Sequence, residues 1–90
     1  MIRDENFLLL AADSTHYVIY LEGVLKENDI QTRVIPLPTE ISANCGLSLK
    51  IDLMYKDKVQ EIIKNQEFKL GFYMIKKHGL KKEIKELGGN

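Results

Sequence analysis

The 90-residue chain predicts an α+β fold, the ferredoxin-like split βαβ order (βαββαβ), with an antiparallel sheet carrying two helices on one face. Three features predict it. Phe7 to Ala12 is apolar at every position, and Leu47 to Leu53 alternates apolar and polar residues with period two. Two further stretches, beginning near Tyr17 and near Met54, repeat apolar residues at helical spacing.

In chain order, Phe7 to Ala12 reads as a first strand, stopped by Asp13-Ser14-Thr15, any of which can cap the helix that follows. Tyr17, Val18, Leu21, Val24 and Leu25 line one face of that helix, and Asn28-Asp29 suits its exit. Ile30 to Leu37 reads as a second strand that must end near Pro36, where the missing N–H removes a ladder donor. A long connection from Pro36 to Gly46 leads to the third strand, the clearest of the set. Tyr55, Val59, Ile62 and Ile63 mark a second amphipathic helix over about Met54 to Gln66. Phe68 to Ile75 is the fourth strand, interrupted by Gly71. Leu80, Ile84 and Leu87 then predict a short Lys-rich C-terminal helix. One domain over residues 1–90 is expected, its core about 5–77 and its helical tail about 79–87.

In the expected topology the first and third strands are adjacent at the centre, flanked by the other two. The Ser14-Thr15-His16 turn and the Asn44-Cys45-Gly46 end of the long loop then share one end of the sheet.

Thirteen Lys plus Arg balance thirteen Asp plus Glu, which argues against a nucleic-acid binder. The charge is unevenly placed: residues 1–45 carry 3 − 7 = −4 and residues 46–90 carry 10 − 6 = +4. Lys81, Lys82 and Lys85 are therefore candidates for docking an acidic partner; the plainer reading is a solvated helix face. No apolar run approaches the roughly 20 residues a membrane-spanning helix needs, so no membrane association is expected. A lone cysteine closes no intrachain disulfide, and no charged leader precedes a long apolar stretch, so a cytoplasmic protein is expected. Dimerisation through an edge strand or the tail helix suits a domain this small.

Cys45 is the main candidate for chemistry. A thiol reacts as its thiolate, whose pKa falls beside a helix N-terminus, a protonated His or a nest of backbone N–H groups. Gly46 would allow a positive φ or a close backbone approach, and His16 could orient or activate the thiol. The alternatives are a buried, inert Cys45 and a solvated His16. With only Cys45, His16 and His78 as soft ligands, no metal site is expected.

The turn Ser14-Thr15-His16 after an apolar strand, and the loop Ile35-Pro36-Leu37-Pro38-Thr39-Glu40-Ile41-Ser42-Ala43-Asn44-Cys45-Gly46-Leu47 opening another, resemble the selenium/sulfur carrier-like family of small bacterial domains. That family's pattern is a Ser-Thr-His turn and an Ile-Pro-x-Pro-Arg-x-Ile-Ser-x-x-Cys-Gly loop. Ser14, Thr15, His16, Pro36, Pro38, Ile41, Ser42, Cys45 and Gly46 match it. Thr39 stands where the family has Arg, which removes a cation that could hold an anionic sulfur or selenium species at that position. Residues beyond about Lys77 lie outside the family's common core. The resemblance implies a carrier, more than a stand-alone enzyme. It would hold sulfur or selenium on Cys45 as a persulfide or selenosulfide and pass it between donor and acceptor proteins, with no cofactor. Ser14, Thr15, Pro36, Pro38, Ser42 and Gly46 would shape the surroundings. The competing class is a non-catalytic interaction or small-ligand regulatory module in which Cys45 merely packs.

Overall fold

The computed structural model describes residues 4–41 and 46–89. β1 (Asp4–Ala12) leads to α1 (Thr15–Glu27), β2 (Thr32–Pro36) and β3 (Leu47–Asp52). A 3₁₀ turn (Leu53–Tyr55) enters α2 (Lys56–Lys64), and β4 (Leu70–His78) and β5 (Lys81–Gly89) complete the chain. All neighbouring strands are antiparallel, in the order β2-β3-β1-β4-β5.

β1 and β3 lie side by side at the centre, as expected, but the four-strand ferredoxin-like order is not what forms. β4 is internal and a fifth strand takes the edge where a C-terminal helix was expected. The reason lies at Gly79, whose φ of 59° puts it at the first central position of a two-residue turn joining His78 to Lys81. Leu80, Ile84 and Leu87 satisfy a helical spacing, but the strand uses them differently. Leu80 sits on the turn, fully exposed, and Ile84 pairs with Ile75. Leu87 is the extra residue of a bulge opposite Phe72 and Tyr73, which turns it toward the helix side of the sheet.

β1 begins three residues earlier than its apolar run, and β4 runs on to His78. The two extensions pair with each other, Glu5 opposite Lys77 and Asp4 opposite His78. Alternation divides the strands between two faces. Leu8, Leu10, Leu49, Ile51, Leu70 and Phe72 meet Val18, Leu21 and Leu25 of α1 and Val59 and Ile63 of α2 in one buried cluster. Both helices therefore cover the same face. α1 starts on a Ser14 cap and ends in a Schellman arrangement: Ile30 N–H donates to Leu25 C=O and Asp29 N–H to Lys26 C=O, with Asp29 at φ 61°. Ile30 and Leu25, the hydrophobic pair of that motif, are both buried.

The opposite face carries a smaller cluster, Phe7, Leu9, Ile41 and Ile75, with Ile35, Leu37, Tyr73 and Ile84 packed against it. Here Gly71 has a steric purpose: a Cβ at that position would meet the Tyr73 ring at 2.8 Å. The Tyr73 side chain occupies the space that Gly71 leaves free.

Candidate functional site

β1 reaches the end of the sheet at Ala12, and the chain turns through Asp13 and Ser14 into α1. Ser14 is extended (φ −139°, ψ 152°), and its Oγ accepts the Tyr17 N–H at 3.3 Å. Thr15 and His16 are the first two helical residues, and His16 is exposed. The first-turn N–H groups and their positive dipole end therefore lie at this end of the sheet. The His16 and Tyr17 rings are 6.0 Å apart, and Tyr17 stacks on Phe68 at 4.2 Å with an interplanar angle of 6°.

The β2 to β3 connection opens at the same end. Pro36 pairs with Leu47, and beyond that pair the Leu37 N–H donates to the Gly46 C=O at 2.9 Å, closing the neck of the loop. The buried Ser48 hydroxyl donates to Ile35 C=O at 3.3 Å and lies 3.5 Å from the Pro36 C=O, fixing the two strands at the neck. After Leu37 the chain makes a turn in which the Ile41 N–H donates to Pro38 C=O at 3.0 Å. It then drops Ile41, 7% exposed, onto the sheet face opposite the helices.

The loop is also held by charge. Glu40 accepts from the Thr39 hydroxyl at 3.2 Å, and Lys82 of β5 sits 3.3 Å from the Glu40 carboxylate. A hydrogen bond from the Glu40 backbone, then that from Lys82, holds the Glu40 carboxyl below the ordinary glutamate range. Desolvation opposes them in part, while the Thr39 hydroxyl and the Lys82 charge add to them. Thr39 supplies no cation, as its sequence indicates, but its neighbour Glu40 has drawn one in from β5.

The structure thus gathers Ser14, Thr15, His16, Pro36 and Gly46 at one end of the sheet, while Pro38 opens the turn that folds back over the face opposite the helices. Ser42 and Cys45 lie outside the described residues. Among the described residues, nothing lies within 4 Å of a Cβ built at Gly46. Its place is open space beside the loop neck. The three lysines do not share a helix face. Lys82 faces the loop, while Lys81 and Lys85 alternate to the other side of β5. His78 is at the far end of the sheet, and among the described residues no group of three or more His, Cys, Asp or Glu could hold a metal. A surface groove of about 820 Å³, lined in part by Glu5, Phe7, Arg33, Lys50 and Asp52, is also at that far end. Lys50 there pairs with Glu5 and lies over the Phe7 ring. No helix among the described residues is long and apolar enough to cross a membrane.

Sequence reasoning did not single out Lys82, Tyr73 and Ile41 as the residues that hold the loop. The only signal for them was Ile41 itself, an isolated apolar side chain in a polar connection.

Fold and site together define a small α+β domain that presents a hydrogen-bond-closed loop beside a capped helix start. The chain belongs to the family described as "Putative Se/S carrier protein-like", which it matches over residues 7–74. The match takes in the whole loop and ends before β5. No curated protein and no solved structure matches the chain significantly.

Proposed function

We propose that this protein carries sulfur or selenium on the Cys45 thiol between a donor and an acceptor protein. The observation that supports this most is the family match, which spans the cysteine-bearing loop and the Ser14-Thr15-His16 turn together. In loading, the Cys45 thiolate attacks the terminal sulfur of a donor persulfide. A bond forms from Cys45 Sγ to that sulfur, the donor S–S bond breaks, and its electron pair leaves on the donor thiolate. Unloading is the same exchange with an acceptor thiolate attacking the carried atom. A persulfide is an anion at neutral pH, so the N-terminal end of α1, with His16 in its first turn as a hydrogen-bond donor, would favour it. A reducing, cytoplasmic compartment suits a protein whose only cysteine must stay free.

Intact mass after incubation with a cysteine desulfurase and cysteine is the test. An addition of about 32 Da, removed by reductant and absent in Cys45→Ser, is expected. A Cys45 thiol that titrates at or above the free value of about 8.5 and gains no mass would refute the reading.

A further inference from the structure

β5 is the outermost strand of the sheet, nine residues long and free of proline, and among the described residues nothing pairs with its outer side. The other edge strand, β2, is five residues long and ends in Pro36, which has no N–H to offer. A long, proline-free edge is a template for another strand, and proteins ordinarily blunt such an edge with lysine. β5 carries lysines, but within Lys82-Glu83-Ile84-Lys85-Glu86 each is matched by a glutamate in an order that is its own complement.

That stretch runs in regular register with β4, from Lys77 opposite Lys82 to Tyr73 opposite Glu86. Two copies that pair β5 with β5 in antiparallel fashion about a two-fold axis normal to the sheet keep their faces aligned. Residues that meet across the new pair then have numbers of the same parity, and the axis passes through a residue. An axis through Lys82, Glu83, Lys85 or Glu86 sets a charge against its own copy, which is repulsive. An axis through Ile84 sets isoleucine against isoleucine, Lys82 against Glu86 and Glu83 against Lys85. Each charged pair occurs twice by symmetry. The closing pair of a two-residue hairpin, here His78 and Lys81, is hydrogen-bonded, so the backbone N–H and C=O groups of Lys82, Ile84 and Glu86 face outward. These are the groups an Ile84-centred partner strand would meet.

We propose that this protein self-associates as a two-fold dimer through antiparallel β5–β5 pairing centred on Ile84. The product is one continuous sheet of ten strands, five from each copy. Both loops lie on the same face of that sheet, and the two Ile84 side chains join the apolar clusters beneath them. The pairing is independent of the carrier chemistry.

Sedimentation equilibrium or light scattering of the full chain tests it. The expected mass is twice the 10.4 kDa of one chain at high concentration, falling on dilution. Glu83→Lys and Lys85→Glu should each leave the monomer. An equimolar mixture of the two should return the doubled mass, because opposite charges then meet at both 83–85 pairs. Glu83 lies opposite Lys76 on β4, so Glu86→Lys, whose β4 neighbour is the uncharged Tyr73, provides a second disruptive variant with less risk to the hairpin. Thermal melts establish that each variant is folded. A wild-type protein that stays monomeric at roughly millimolar concentration would overturn the proposal. So would a doubled mass that persists in Glu83→Lys and Glu86→Lys, or a mixture that fails to associate.

Discussion

The two faces of the sheet are closed by different kinds of chain. On one, α1 and α2 lay five side chains into a cluster that runs across β1, β3 and β4. On the other, the connection between β2 and β3 provides cover, held among the described residues by Ile41, Leu37, the Leu37–Gly46 hydrogen bond and an ion pair to β5. Stability is concentrated where helices pack. The loop-covered face is held, among the described residues, by a few contacts, each small enough to open locally.

The largest test of that contrast is at Phe72, buried at 0% exposure between the strands and the helices. Phe72→Ala should cost about 3–5 kcal/mol, enough to consume much of a small domain's stability, read as a loss of denaturant midpoint and Tm. A substitution on the loop side should cost less. Ile41→Ala removes an anchor at the rim of a smaller cluster, where the cavity opens toward solvent, and about 2 kcal/mol is expected. Its signature should be local. The Ile41 amide, bonded to Pro38 C=O, should exchange faster by more than the β1 and β4 amides do. Equal acceleration across the sheet would mean the loop belongs to the same cooperative unit as the helix-side core.

How far these features were legible in the sequence follows the same division. The helix-side core was readable because its apolar spacing is unambiguous: Val18, Leu21 and Leu25 fit only a helix, and Leu49 and Ile51 alternate cleanly with polar neighbours. β5 was not, because Leu80, Ile84 and Leu87 obey a helical period while Lys82, Ile84 and Glu86 obey a strand period. Strand pairing to β4 decided between them, and Gly79 was the one local sign of the turn. Asp4 to Asn6 gave no strand signal, since those residues are extended only through Lys76, Lys77 and His78 opposite them. The loop's residue types carry the family resemblance, but nothing local to Pro38–Ile41 says which face of the sheet Ile41 covers. That depends on Tyr73, Ile75 and Ile84, more than thirty residues on.

The smallest expected effect concerns the ion pair that joins this loop to β5. Glu40→Gln keeps the shape and the contact to the Thr39 hydroxyl but removes the charge that faces Lys82. Exposed pairs contribute little, so the loss should be smaller than for Ile41→Ala and should shrink further in high salt. Its pH dependence has a definite sign. The Glu40 carboxyl titrates lower in the folded protein than the ordinary glutamate, so its contribution is complete above about pH 4.3 and is lost as the pH falls through the lower folded value. Denaturant midpoints of wild type and Glu40→Gln, compared between neutral and strongly acidic pH, should therefore differ at neutral pH and converge in acid. A difference that stayed constant with pH would assign the loop's attachment to Ile41 and the Leu37–Gly46 neck alone, with no share for the charge on Lys82.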